Sequence, residues 1–102
     1  MTRAAIAARG EARIEVAGAA ILLRPTFAAL CAAEEALGPL FALVERAAEG
    51  RLTLTEIAAL FACCADGAAT REEIGAAIAE QGLAKVTPVL RVLLGQILQG
   101  AA

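Results

Sequence analysis

The side chains of this sequence that could perform chemistry are its thiols and carboxylates. The chain contains no histidine, and so lacks the residue that most often serves as a general base near neutral pH and as a metal ligand. It contains no tyrosine and no tryptophan either. Any catalysis would therefore depend on carboxyl groups or on cysteines.

Two pairs of adjacent glutamates, Glu34-Glu35 and Glu72-Glu73, are the closest approach to a catalytic dyad. Neighbouring residues on a helix point about 100° apart, so the two carboxyl groups of such a pair cannot share a proton. Glu73 also follows Thr70 by three residues, which is the spacing of a helix capping box. These glutamates predict helix surfaces and caps rather than an active site.

The three cysteines, Cys31, Cys63 and Cys64, are odd in number, and two of them are adjacent. The adjacent pair could be a redox or metal-binding site, or simply two small apolar residues of a helix. The second interpretation is favoured, because vicinal cysteines do not suit a disulfide framework. Free thiols are typical of a reducing compartment. We therefore expect a cytoplasmic, non-enzymatic protein without metal or cofactor.

The charge distribution argues against two classes of partner. The net charge is −2 and the nine basic residues are scattered, whereas binding to nucleic acid requires clustered lysine and arginine. Residues 70–78 resemble the opening of a helix-turn-helix unit, but Arg71 is their only basic residue. Uncharged runs are too short for a membrane span. We expect no nucleic-acid or membrane partner, and a small regulatory or DNA-binding adaptor remains an alternative.

The elements that position these residues begin with a β-hairpin over residues 11–24. Apolar and charged residues alternate over residues 11–16, and after Ala17-Gly18 the apolar residues Ala19, Ile21 and Leu23 continue the same phase, which predicts two strands with one apolar face. With Ala17-Gly18 as a two-residue loop, the expected cross-strand pairs are Val16–Ala19, Ile14–Ile21 and Ala12–Leu23. Glu11 is expected to face Arg24 on the solvent side of the sheet.

Five helices are predicted after the hairpin, over residues of about 26–37, 39–49, 54–66, 71–81 and 85–99. Thr26 is the predicted cap of the first helix, either Thr53 or Thr55 that of the third, and Thr70 that of the fourth. The last helix contains Pro88, which we expect in its first turn because a proline deeper in a helix removes a backbone hydrogen bond.

Apolar stripes of helical period predict the faces that form the core. The stripe of the first helix consists of Phe27, Leu30, Cys31 and Leu37, with Glu34 at its edge. That of the third consists of Ile57, Leu60, Phe61 and Cys64. That of the last consists of Leu90, Leu93, Leu94 and Ile97, flanked by Val86, Val89 and Leu98. The chain is thus predicted to be an α+β domain over residues 11–99, in which the hairpin packs on a bundle of about five short helices. Residues 1–10 are expected to be a flexible tail.

Two surfaces of this arrangement are predicted to meet other polypeptides. A hairpin leaves a strand edge that can pair with another chain. The last helix has more apolar positions than one stripe can bury, although the whole helix could instead lie in the core. The candidate partner-binding residues are therefore Ile14, Val16, Ile21, Leu23, Val89 and Leu98.

Three segments of the chain resemble a known family. They are Leu23-Arg24-Pro25-Thr26-Phe27-Ala28-Ala29-Leu30 followed by Glu34-Glu35-Ala36-Leu37-Gly38, then Gly50-Arg51-Leu52-Thr53-Leu54-Thr55-Glu56-Ile57-Ala58, and Thr70-Arg71-Glu72-Glu73-Ile74-Gly75. In this order and spacing the chain is similar to the small gene transfer agent family proteins of alphaproteobacteria, which are related to phage tail assembly chaperones. It departs from the family pattern at Ala33, where a larger apolar residue is expected, and at Cys63-Cys64, where the family often has an aromatic residue.

The resemblance implies a protein of a gene transfer agent or prophage that acts on the tape-measure protein or the tail tube during assembly. Some members of the family are described as tail tube components, so a structural part of the tail, which would be particle-associated rather than cytoplasmic, is the alternative. The family has no catalytic residues to carry over. Homo-oligomer formation is also possible under either interpretation.

Overall fold

The computed structural model describes residues 11–67 and 69–99, and the tail predicted over residues 1–10 lies outside them. Three strands and five helices follow one another as β1 (Ala12–Val16), β2 (Ala19–Leu23), α1 (Phe27–Leu37), α2 (Leu40–Ala48), α3 (Leu54–Cys64), β3 (Ala65–Asp66), α4 (Arg71–Gln81) and α5 (Leu83–Gln99). The predicted α+β class, with an N-terminal hairpin and five helices, is confirmed.

The hairpin has the predicted register, with Val16 opposite Ala19, Ile14 opposite Ile21 and Ala12 opposite Leu23. Its turn residues, Ala17 and Gly18, both have positive φ, of 52° and 83°. Two such residues form the type I′ turn, whose twist matches that of the strands it joins. Alternation along β1 is also as predicted: its apolar residues are buried, and Arg13 and Glu15 are exposed.

A third strand, β3, extends the sheet in the order β1-β2-β3. It pairs antiparallel with the end of β2, with Leu22 opposite Asp66 and Leu23 opposite Ala65. The prediction that the third helix continues to residue 66 is therefore wrong. The amide of Arg24, directly after β2, donates to the carbonyl of Cys64 at 2.7 Å. This hydrogen bond satisfies one of the free carbonyl groups at the end of α3, and the chain continues from there as a strand beside β2.

Glu11 faces Arg24 as expected, but it does not lie on the solvent side. Its side chain is 4% exposed, and its Oε2 lies 3.3 Å from Arg24 Nε. Arg24 also approaches Asp66 of β3, at 4.0 Å. A carboxylate can be buried at this end of the sheet because the guanidinium supplies the opposite charge.

Helix α3 lies at the centre of the molecule, packed against α1 on one side and α4 on the other. Its predicted core face is confirmed, since Ile57, Leu60, Phe61 and Cys64 are all buried. Helix α5 packs against β1, α2 and α4. The largest fully buried side chains are Phe61, Leu23, Leu43, Leu60, Ile74, Ile78 and Leu93.

The predicted core face of α1 is wrong for Phe27 and Cys31, although Leu37 packs partly buried against the core. Ala29 and Ala33 are its buried residues, whereas Phe27 and Cys31 are exposed. Alanine side chains allow the backbone of α1 to lie close to α3, and a stripe of larger residues would hold the two helices further apart. The sequence pattern did not reveal this face, because α1 has alanines on several of its faces and the pattern was read from the larger apolar residues.

Helix α5 begins at Leu83, two residues before the predicted start at residue 85, and Pro88 is its sixth residue rather than part of its first turn. Residue 88 would normally donate to the carbonyl of Ala84, which is an exposed residue, so the lost bond costs less than it would in the core. At the residue before the proline, the hydroxyl of Thr87 donates to the carbonyl of Leu83, one turn earlier in the helix, at 2.7 Å.

Candidate protein-binding surfaces

The apolar face of the hairpin belongs to the core. Ile14, Val16 and Leu23 are buried, and Ile21 is partly buried against them. These four side chains, which the sequence suggested as partner-binding, instead hold the sheet on the helices. Burial follows from the contacts of β1 with α4 and α5. A partner at this strand would meet its backbone and its exposed side chains.

The backbone of β1 offers hydrogen-bonding groups on its outer edge. In a hairpin closed by a type I′ turn, Val16–Ala19 is a hydrogen-bonded pair, and so are Ile14–Ile21 and Ala12–Leu23 by alternation. The residues between them, Arg13 and Glu15, therefore point their N–H and C=O groups away from β2. Among the described residues no strand pairs with this side of β1.

One side chain covers part of this edge. Gln81, the last residue of α4, donates from Nε2 to the carbonyl oxygen of Glu15 at 2.7 Å. Two grooves adjoin this contact and share Glu15, Gln81 and Lys85. The larger, of about 390 Å³, lies between the turn and α4. The smaller, of about 180 Å³, lies between Arg13 and α5. Within the part of the chain that the structure describes, the edge of β1 is thus accessible on both sides of this side-chain hydrogen bond.

Two exposed aromatic side chains of the helices are further candidates for contact with another protein. Phe27 of α1 is 86% exposed and Phe41 of α2 is 78% exposed. Large aromatic residues are buried more often than this, so an aromatic side chain this exposed is a candidate for contact with another molecule. Two of the three phenylalanines of the chain are therefore outside its core.

Sequence reasoning did not single out these two phenylalanines, although a signal was present. Phe27 shares its helix face with Glu34, seven residues later, and Phe41 shares its face with Glu45, four residues later. Both glutamates are exposed. In these two helices the carboxylate on the shared face indicated the solvent side, and the apolar period did not indicate the core.

The remaining predicted partner-binding residues lie on α5. Leu98 is 55% exposed, in agreement with an outward position, whereas Val89 is partly buried against the core. Leu83, at the start of the same helix, is exposed to a similar extent. Most of the apolar surface of α5 is thus covered by β1, α2 and α4, and its two ends are not.

Cys63 and Cys64 have the environment of small apolar residues, whereas Cys31 is exposed. Burial raises the pKa of Cys63, and burial together with the neighbouring Cys63 raises the pKa of Cys64 to about 12. A reactive thiol requires a lowered pKa, because the thiolate is the nucleophile. Within residues 11–67 and 69–99 no group of three or more cysteine, aspartate and glutamate side chains could hold a metal ion.

Of the adjacent glutamates noted in the sequence, Glu73 caps a helix. The Thr70 hydroxyl accepts from the Glu73 amide at 3.1 Å and the Glu73 carboxylate accepts from the Thr70 amide at 2.9 Å, which confirms the predicted capping box. Thr53 and Glu56 form a second box at the start of α3. The pKa of Glu56 is lowered by the Thr53 amide and by Arg46 of α2.

No single helix of the described ranges is both long and apolar enough to cross a bilayer. Helices α1 and α2 reach that length and composition only as a pair, and the chain bends by 75° between them.

Comparison with known proteins gives one family. The model of the family described as phage tail tube protein, GTA-gp10, matches residues 9–100. No curated protein and no solved structure matches the chain significantly. Because the family match spans most of the 102 residues, including the hairpin, every helix and both exposed phenylalanines, the chain belongs to this gene transfer agent family and is a tail-related protein.

Proposed function

We propose that this protein is a non-enzymatic, chaperone-like factor of tail assembly that binds the tape-measure protein or tail tube components in the cytoplasm. The observation that carries the proposal is the pair of exposed phenylalanines, Phe27 and Phe41, on a chain of a tail protein family. Their side chains contribute nothing to the core of the isolated chain, so their burial is available to a complex.

The apolar area of the two phenylalanines suits a reversible contact. An aromatic side chain buries about 150–250 Å² when it is covered. Stable interfaces bury about 1,200–2,000 Å² in total, so two phenylalanines can anchor a complex without making it permanent. A factor that must release its partner once the tail has formed requires such an anchor.

A structural component of the tail is the second candidate, and the description of the family as a tail tube protein favours it. The two functions differ in where the protein ends up. A chaperone is absent from purified particles, whereas a tail component remains in a fixed ratio to the other tail proteins. Quantitative mass spectrometry of purified particles distinguishes these outcomes.

Substitution of the two phenylalanines tests the binding surface. Phe27→Ser and Phe41→Ser are expected to weaken capture of the tape-measure or tail tube protein by about tenfold or more, because hot-spot aromatic residues dominate such contacts. Leu54→Ser is the control, since Leu54 is also an exposed apolar residue at the start of a helix. All three variants are expected to keep the melting temperature nearly unchanged. Undiminished capture by the double phenylalanine variant would contradict the proposal.

A further inference from the structure

We propose that the outer edge of β1 pairs antiparallel with β1 of a second copy of this chain, about a two-fold axis at Ile14. The resulting dimer has a continuous sheet in the order β3-β2-β1-β1-β2-β3. The inference rests on the backbone and charges of β1 and is independent of the function proposed above, which concerns the helical surface.

The backbone of β1 is suited to this pairing. Arg13 and Glu15 direct their N–H and C=O groups outward, as derived from the register and the turn. When two β1 strands meet with Ile14 opposite Ile14, Arg13 of each lies opposite Glu15 of the other. Both residues of each pair point their backbone groups at the partner, which gives four hydrogen bonds across the axis.

The charges of β1 select the same register and a second copy as the occupant. Arg13 and Glu15 lie on the same exposed face of the strand. In the register centred on Ile14, each arginine opposes a glutamate, and opposite charges in cross-strand pairs are stabilising. A register centred on Arg13 or Glu15 would place like charges opposite each other. The edge is therefore complementary to itself in one register, as a two-fold interface requires.

Gln81 acts as a removable cover of this edge. Its Nε2 occupies the carbonyl of Glu15, which in the dimer would accept from the amide of Arg13 of the second copy. One flexible side chain must move, and the grooves on both sides of it leave space for the incoming strand. Natural proteins often cover strand edges with another part of the chain, so removal of this contact is expected to strengthen the pairing.

Charge reversal tests the proposal most directly, with sedimentation equilibrium as the measurement. The unmodified protein is expected to dimerise at concentrations below about 1 mM. Arg13→Glu and Glu15→Arg each replace two attractive pairs by two repulsive ones, and each is expected to weaken the dimer by about tenfold or more. The double variant, and an equimolar mixture of the two single variants, restore opposite charges at both pairs and are expected to dimerise as the unmodified protein does.

Two charge changes outside β1 serve as matched controls. Arg51→Glu and Glu35→Arg make the same changes of net charge at exposed positions outside β1 and are expected to leave dimerisation unchanged. Gln81→Ala removes the cover and is expected to tighten the dimer several-fold. A monomeric unmodified protein up to 1 mM, or a mixture of the single variants that fails to associate although both are folded by circular dichroism, would overturn the proposal.

Removal of one outward amide provides an independent test. Arg13→Pro deletes an N–H group that points away from β2, so the hairpin is expected to persist, as edge strands tolerate proline at such positions. Arg13→Thr removes the same charge but keeps the amide. Dimerisation weaker in Arg13→Pro than in Arg13→Thr supports strand pairing, and equal dimerisation overturns it. Neither result alters the binding expected of Phe27 and Phe41, so the two proposals fail separately.

Discussion

Ala17 has a backbone conformation that its side chain disfavours. Its φ is 52°, and outside glycine this left-handed region is common mainly for asparagine and aspartate. Type I′ turns accordingly prefer Asn-Gly, whereas this chain has Ala17-Gly18. The alanine is tolerated because β1 and β2 pair on the core and hold the turn between them.

Replacement of Ala17 is therefore expected to stabilise the protein. Ala17→Asn should raise the free energy of unfolding by roughly 0.5–1 kcal/mol, because asparagine enters the left-handed region at lower cost. Gly18→Ala should lower it by about 1–2 kcal/mol for the opposite reason, since Gly18 has a φ of 83°. Urea unfolding of both variants measures the two effects, and a stabilised Gly18→Ala would contradict the assigned turn.

At the scale of elements, α2 and α3 are joined by one carboxylate with two functions. Glu56 accepts from the amide of Thr53 in the capping box of α3 and pairs with Arg46 of α2. Both contacts stabilise the charged form, which explains the lowered pKa of Glu56. The start of α3 is thereby held against α2.

This arrangement predicts a loss of stability in acid. Because the pKa of Glu56 is lower in the folded chain than its ordinary value of 4.5, the folded state binds fewer protons than the unfolded state. Its contribution is fully present above pH 4.5 and decreases as the pH falls through the lowered folded pKa. Glu56→Gln keeps the capping geometry without a titrating group, and is expected to show a flatter dependence of stability on pH below 4.5. Parallel unfolding curves for both proteins between pH 3 and 7 would contradict this role.

At the scale of the whole molecule, the three phenylalanines divide into two kinds. Phe61 is fully buried at the centre of the core, on α3 between α1 and α4. Phe27 and Phe41 lie outside that core. Hydrophobic type alone therefore does not reveal which of them stabilises the fold and which is available to a partner.

Alanine substitutions should separate these roles. Phe61→Ala is expected to lower the free energy of unfolding by about 3–5 kcal/mol, because it leaves a cavity that the surrounding helices cannot close. Phe27→Ala is expected to change it by less than about 0.5 kcal/mol, as for an ordinary surface position. Thermal unfolding of the two variants provides the measurement. A comparable loss in Phe27→Ala would show that this residue packs in the core, and would remove it from the proposed binding surface.

The sequence by itself determined the features of this protein that depend on neighbouring residues. The hairpin register follows from a two-residue turn between alternating strands, and the caps at Thr26 and Thr70 follow from contacts three residues apart. The core face of α3 was equally readable, because Leu60 and Phe61 are large residues in a stripe with no charge on it. The family motifs lie in these same segments.

Only the tertiary structure decided the features that depend on distant partners. β3 exists because β2 offers its backbone to residues 65 and 66, more than forty positions away, and the helical pattern there carried no sign of it. α1 turns Ala29 and Ala33 inward because α3 must lie close, and this leaves Phe27 outside. An alanine-rich helix has no strongly preferred apolar face, so the neighbour that packs against it determines its orientation and, with it, the surface that remains for other proteins.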